Sequence, residues 1–377
     1  MPDKILFLTL KTFSLTGGIE KVCRILTRAL YDMSSVSKNI LVASMHDQNS
    51  DCDSKYINQD QFKGFNGHKI KFILSAMIRG IRSDTVILSH INLLFVALLI
   101  KAFSPKTRII VYAHGIEIWR NIKSWKQKFL KSKCELWSVS NYTAQKLAEL
   151  HYIPAENIKV VPNCLDPYLE IPENFDKPVK LLQRYNLTPE QPVLFTLTRL
   201  SSTELYKGYD LIIEILPELI RRYPSIQYLL AGKADAEEKE RLEALISSNN
   251  LGQHVTLLGF LPDEELTEHF LLADVFVMPS RKEGFGLVFI EAAACGCKVM
   301  GGNQDGTTDA LLNGRLGTLV DPTNKEEIYK AIIRNLEEDR SDASSLAIQS
   351  LCLEYFNYQK YLQNIQQLLS APVNIYN

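Results

Sequence analysis

Glu283 and Glu291 are separated by seven residues in the run Glu-Gly-Phe-Gly-Leu-Val-Phe-Ile-Glu. The apolar stretch from Val275 to Met278 comes just before and ends at Pro279, and it reads as a buried strand of a parallel sheet. Gly284 and Gly286 permit a sharp backbone turn. From Leu287 the pattern is helical and apolar, through Val288, Phe289 and Ile290 to the alanines 292–294. Glu283 is therefore expected in a loop before a helix, with Glu291 about two turns along it. The first amides of such a helix have no internal partners and stand at its partly positive end, so a phosphate or sugar oxygen is a natural ligand there. Carboxylates are good acceptors for sugar hydroxyls. Taken bare, the same residues also suit an ordinary strand, loop and helix with two solvated glutamates.

Three further places carry chemistry. Arg199 follows the apolar strand 193–198, and Lys207-Gly208 opens the next helical pattern. Two cations at a strand end and a helix start suit a diphosphate, and equally a pair of surface charges. His114-Gly115 follows the strand 107–113. Ligands of open α/β sheets bind outside the carboxyl ends of strands, and a histidine titrates near neutrality. The plain alternative is a histidine bonded to local backbone. Gly17-Gly18 lies between the strand 5–10 and a helical pattern through Ile25, Leu26, Ala29 and Leu30. It is no G-x-G-x-x-G, so a dinucleotide cofactor is not indicated. Asp51-Cys52-Asp53 matches a metal-binding D-x-D, but it falls in the polar stretch 46–68 rather than at a strand end, and a solvated acidic loop fits better.

The elements needed to hold these residues alternate strand and helix along the chain, which calls for an α/β fold with parallel sheets. A length of 377 residues exceeds one ordinary core and predicts two domains. We place an N-terminal Rossmann-like domain at 1–170, a Pro-bearing connection with a short helix at 171–191, and a second Rossmann-like domain at 192–355. Residues 356–377, with an apolar stripe, are expected as a C-terminal helix crossing back to the first domain. The longest apolar run, Ile91 to Ile100, is too short to span a bilayer. Seven scattered cysteines, with only a lone C-x-C at 295–297, argue against a disulfide framework or zinc and for a reducing cytoplasm.

Net charge is −1, but the halves differ: residues 1–170 carry +9 and residues 171–377 carry −10. A basic first half suits an anionic surface, while the acidic second half argues against nucleic acid. Residues 119–133 hold six cations and no acid. Trp119, Ile122, Trp125, Phe129 and Leu130 can share one helical face, as in a helix lying on an anionic membrane or one packed on its own sheet.

The run Pro-Ser-Arg-Lys-Glu-Gly-Phe-Gly-Leu-Val-Phe-Ile-Glu-Ala-Ala-Ala-Cys-Gly, 279–296, resembles the signature of the GT4 family of glycosyltransferases. The resemblance covers nearly the whole chain and is most specific from Arg199 to Pro322. It implies a GT-B fold, two Rossmann-like α/β/α domains facing a cleft, and retaining transfer of a hexose from a nucleotide diphosphate sugar. It implies that Glu283 contacts the donor sugar and Glu291 the ribose. The backbone of Gly284, Phe285, Gly286, Leu287 and Val288 then holds sugar and phosphates, with Arg199 and Lys207 on the diphosphate and Phe260 near the base. His114 would contact the sugar, and Gly17 and Gly18 would line the donor and acceptor side. Catalytic work would fall on His114, Glu283, Arg199 and Lys207, with no metal and no cofactor, since the cations are built in. The acceptor would be a glycan or lipid-linked sugar, in polysaccharide or glycolipid synthesis, in the cytoplasm or on the inner membrane face. Two departures stand out. Cys164 replaces the glycine usual in Asn-Gly-Val-Asp, and seven residues separate Arg199 from Lys207, more than in many relatives. A nucleotide-sugar epimerase or hydrolase of the same fold, or a non-catalytic binding protein, is the alternative.

Overall fold

The computed structural model describes residues 4–33, 39–338 and 340–371. They divide into two units, Met1–Pro167 with Asn357–Asn377, and Tyr168–Phe356. In the first unit the strands are β1 (Ile5–Thr9), β2 (Ile40–Ser44), β3 (Phe62–Gly64), β4 (Thr85–Leu88), β5 (Arg108–Ala113), β6 (Glu135–Ser138) and β7 (Ile158–Val160). They pair in parallel in the order β3-β2-β1-β4-β5-β6-β7. The helices are α1 (Gly18–Met33), α2 (Lys69–Gly80), α3 (Leu94–Phe103), α4 (Ser124–Lys133) and α5 (Asn141–His151). All residues of β1, β4 and β5 are buried. That is the pattern of parallel strands covered on both faces by their crossover helices.

The second unit repeats the plan. Its strands are β8 (Val193–Leu197), β9 (Gln227–Ala231), β10 (Val255–Gly259), β11 (Val275–Met278), β12 (Lys298–Gly302) and β13 (Thr318–Val320). Their order is β10-β9-β8-β11-β12-β13. The helices are α6 (Val179–Tyr185), α7 (Tyr209–Arg222), α8 (Ala236–Ser248), α9 (Leu266–Leu272), α10 (Leu287–Ala294), α11 (Thr307–Ala310), α12 (Lys325–Glu337) and α13 (Asp342–Phe356). In each sheet the strand order reverses beside its first strand, at β1/β4 and at β8/β11. A doubly wound sheet opens a crevice at the carboxyl ends of those two strands.

Two packing features position the second crevice. Phe276 of β11 meets Phe289 of α10 edge-on at 5.7 Å and Phe195 of β8 at 6.0 Å. Such pairs add about 0.5–1.5 kcal/mol each beyond area burial, and here they lock α10 onto the strand that precedes it. Behind α10, the Gln349 side chain of α13 donates to the Ala294 carbonyl at 3.0 Å and Phe356 stacks edge-on against Phe285 at 5.7 Å.

The last helix, α14 (Tyr358–Ser370), belongs to the first unit, as does the described chain beyond it, and residues 372–377 lie outside the described part. Tyr361, Ile365 and Leu369 are its buried face. Arg108 of β5, paired with Glu135 at 2.6 Å, donates to the carbonyls of Leu368 and Leu369 at 2.9 and 3.2 Å. A cation there satisfies the terminal carbonyls and suits the negative helix end.

Four local expectations are corrected. The polar stretch 46–68 contains the short strand β3, whose Phe62 is buried, as is Phe65 just after it. Residues 171–191 lie inside the second unit, because Leu181 and Leu182 of α6 are buried and Lys177 pairs with Asp274 at 2.7 Å. The helix expected over 119–133 begins only at Ser124. Trp119 and Ile122 pack against the core before it, so the five apolar residues share no single helical face. Glu291 is the fifth residue of α10, hence just over one turn along it.

Candidate functional site

Arg199, Lys207 and Glu283 stand on the two loops that leave β8 and β11, at the switch point of the second sheet. The loops are stitched together. The Arg281 N–H donates to the Tyr206 carbonyl at 2.9 Å, and the Lys207 ammonium is ion-paired with the Glu283 carboxylate. Both side chains of that pair are 14% exposed. Arg199 is the more exposed cation and is bonded to Glu204, with Nε 3.2 Å from Oε2. Glu204 lies within the seven residues that separate the two cations. The Tyr206 ring takes the ammonium groups of Lys207 and Lys282 at 5.6 and 5.5 Å from its centroid. Two cations are thus gathered at one crevice, each holding an acid that a diphosphate would displace or share.

The turn after Glu283 follows from its glycines. Gly286 has φ +87°, and a Cβ there would meet the Phe289 ring at 2.5 Å. α10 starts at the next residue, and the first amides of a helix, without internal partners, favour an anion. Phe285, Leu287 and Glu291 are buried, while Phe260 stands 55% exposed just past β10. Gly306 approaches the same loop from the end of β12: a Cβ on it would lie 2.1 Å from the Gly284 oxygen.

The first sheet presents its own group at β1/β4. Asp47, fully buried after β2, accepts the N–H groups of Thr12, Phe13 and Ser14 at 2.7, 3.2 and 3.2 Å and so shapes the loop that leads to Gly17. Gly18 is the first residue of α1, and neither it nor Gly17 is held by a close backbone approach. His114 follows β5 and is buried, with its ring 4.9 Å from that of Tyr112. Its N–H donates to Glu117 Oε1 at 2.6 Å. Neither ring nitrogen makes a hydrogen bond of normal geometry, although the Ser89 backbone lies close enough to favour the charged ring slightly. Burial, then the neighbouring His90, pulls its pKa down to about 3. The imidazole is therefore neutral over the physiological range, an uncharged donor and acceptor. The Asp51-Cys52-Asp53 acids are local caps, with Asp51 taking the Gln48 N–H at 2.7 Å and Asp53 the Lys55 N–H at 2.9 Å. Among the described residues no group of His, Cys, Asp or Glu is arranged to hold a metal ion, and no helix is long and apolar enough to cross a membrane.

Sequence reasoning did not find Asp47, Glu204 or Asp305. Asp305 is fully buried past the end of β12 and accepts the Ser280 hydroxyl, the Glu283 N–H and the Thr307 N–H. Each of these acids stands on a loop after a strand's carboxyl end, the rule that located His114 and Arg199, and that position was the available signal.

Two doubly wound units with this topology define an α/β protein of the GT-B type. The structure of Anabaena HepE in complex with UDP is similar over 97% of this chain and 99% of that one, with a TM-score of 0.79 at 19% identity. The chain belongs to the glycosyl transferases group 1, or GT4, family: that family's profile matches residues 180–348, and the glycosyltransferase family 4 profile matches residues 16–168. A GDP-mannose-dependent alpha-(1-6)-phosphatidylinositol monomannoside mannosyltransferase of Mycolicibacterium smegmatis is 30% identical over 276 residues, 70% of each chain. The enzyme of the same description from Mycobacterium tuberculosis is 29% identical over 64% of each chain.

Proposed function

We propose that the chain is a retaining hexosyltransferase that moves a sugar from a nucleotide diphosphate donor to a hydroxyl of a glycan or lipid-linked acceptor. The observation that carries this reading is the Lys207–Glu283 pair at the β8/β11 crevice, with Arg199 beside it and the start of α10 below. Arg199, Lys207 and the first amides of α10, from Leu287 and Val288, bind the diphosphate and stabilise it as it leaves. Glu283 accepts from the sugar hydroxyls, Glu291 from the ribose, and Phe260 offers its exposed ring to the base. The loop of Gly284, Phe285 and Gly286 lets the backbone come close to the donor. In the first unit Gly17, Gly18 and the neutral His114 supply substrate contacts. Attack on the same face as the departing phosphate, which takes the acceptor proton, needs no cofactor. The named relatives make GDP-mannose the first donor to test and a phospholipid-anchored sugar the first acceptor.

We also place the enzyme peripherally on an anionic membrane surface on the cytoplasmic side. α4 and its approach keep exposed cations, including Lys123 and Lys128, beside a partly exposed Trp125. A stronger support lies on α2 and α3, which expose Ile70, Leu74 and Ile78, and Phe95, Leu98 and Phe103. Between residues 69 and 106 stand six cations and one acid. Exposed apolar residues rimmed by cations suit the interface of an anionic bilayer.

The test is transfer from a panel of nucleotide diphosphate sugars, each with and without acceptor, reading nucleotide release and anomeric configuration. Transfer with retention is expected. Donor hydrolysis or epimerisation without acceptor, or nucleotide binding without turnover, overturns the reading.

A further inference from the structure

Asp305 lies behind the site, and its geometry is specific. Its Oδ2 accepts the Glu283 N–H at 2.7 Å and the Ser280 hydroxyl at 2.8 Å, while Oδ1 accepts the Thr307 N–H at 2.9 Å. The next residue, Gly306, donates its N–H to the Glu283 carbonyl at 2.8 Å. The peptide groups on both sides of the Glu283 Cα are therefore held by consecutive residues of one turn. Gly306 can sit there because it lacks a Cβ, which would strike the Gly284 and Glu283 carbonyls.

We propose that Asp305 is a positioning residue for Glu283: its ionised carboxylate fixes the backbone of that residue, so that the Glu283 carboxylate is presented to the sugar hydroxyls of the donor. This rests on the reading of Glu283 as the sugar contact. Three donors converge on one carboxyl group, and the ionised form, an acceptor only, serves all three with no proton of its own left to place. Burial, and then the charge of Glu283, pushes its pKa up to about 6. The charged group facing it is Glu283, itself paired with Lys207, while Ser280 and Thr307 present neutral donors. A carboxyl raised above its unfolded value of about 3.9 favours folding when protonated, and that contribution is lost as pH rises from about 4 to about 6. The ionised form is thus unfavourable for the fold and is the one that holds Glu283. A group kept against stability in this way fits function better than scaffolding.

The test is the pH profile of kcat/KM, which reports groups of the free enzyme, with a donor the wild type uses. An acid limb near pH 6 is expected. His114, held near 3, and His90, near 4, do not supply it. Asp305→Asn should lose the limb and lower kcat/KM at pH 8 by about 10- to 100-fold, the scale of a misplaced contact group. Its affinity for a free nucleoside diphosphate should stay within about 2-fold, because the sugar contact is the one disturbed. Ser280→Ala removes one donor from the ionised form, so the limb should move up by about half a pH unit to one unit. A wild type without the limb, an unmoved limb in Ser280→Ala, or wild-type kcat/KM in Asp305→Asn overturns the proposal. Should Asp305→Asn fail to fold, the Ser280→Ala limb decides. A wild type that neither binds a nucleoside diphosphate nor transfers a sugar refutes the reading of Glu283 itself, a result distinct from active enzyme with an indifferent Asp305.

Discussion

Lys207→Met removes a charge while keeping most of the apolar stem, and two separate losses should follow. The first is in stability. Lys207 and Glu283 are both 14% exposed, so the variant leaves a mostly buried carboxylate unpaired. Removing one partner of a buried pair costs about 3–5 kcal/mol, and the residual exposure here places the cost near about 3. For a unit of this size that is a fall in Tm of roughly 6–12 °C. The second loss is in binding. A charge-assisted hydrogen bond contributes about 1.5–3 kcal/mol, so nucleoside diphosphate affinity should fall about 10- to 150-fold. The monophosphate, whose phosphate is proximal to the ribose, should lose less than about 3-fold. Adding Glu283→Gln should recover most of the Tm and little of the diphosphate affinity, a coupling that a double-mutant cycle isolates. Differential scanning calorimetry gives the first quantity. Titration calorimetry with GDP and GMP, and with UDP and UMP alongside, gives the second. Equal losses for di- and monophosphate would remove Lys207 from the phosphate site, and an unchanged Tm would show that the pair contributes nothing in the free protein.

Three further outcomes are expected. Glu291→Gln should weaken ribonucleotide binding by about 1.5–3 kcal/mol and 2′-deoxynucleotide binding by less, and identical losses in calorimetry would place Glu291 away from the ribose. Gly306→Ala forces a methyl group against two backbone carbonyls, at 2.1 and 2.8 Å from their oxygens. It should destabilise by about 1–3 kcal/mol in urea unfolding and lower transfer more than nucleotide binding, while wild-type stability would mean that the turn yields freely. Leu74→Glu with Ile78→Glu should abolish sedimentation with vesicles containing anionic phospholipid, and reversing Lys123, Lys126 and Lys128 to Glu should weaken it by about 2 kcal/mol each, half from attraction lost and half from repulsion gained. Wild-type binding should fade with salt, and a wild type that never sediments would sink the membrane placement.

The sheets and the motif were legible because each rests on a short stretch of chain. A buried parallel strand is an apolar run bounded by turn residues, and β1, β5, β8 and β11 all read that way. What holds the candidate site is of another kind. Asp305 is 22 residues from the Glu283 amide it accepts, Asp47 is 35 residues from Thr12, and the Lys207–Glu283 pair spans 76 residues. No local period marks such partners, and an acid in a loop reads as solvated until the sheet order brings two loop sets together. β3 escaped for a related reason: a three-residue strand on a sheet edge has no period of its own and is defined by pairing with β2. The helix over 119–133 failed differently, since its apolar residues keep helical spacing but Trp119 and Ile122 are recruited to the core before the helix starts. Tertiary burial outweighs periodicity where a segment crosses from a strand end to the next helix. The same competition explains the site. At β8/β11 the backbone must leave the sheet, its polar groups need partners, and charged side chains from neighbouring loops supply them. The groups paired at this crevice are the ones proposed to meet the donor, so on that proposal binding exchanges one set of partners for another. Lys207 and Glu283 are each 14% exposed and Arg199 far more so, which leaves all three within reach of such an exchange rather than sealed in the core.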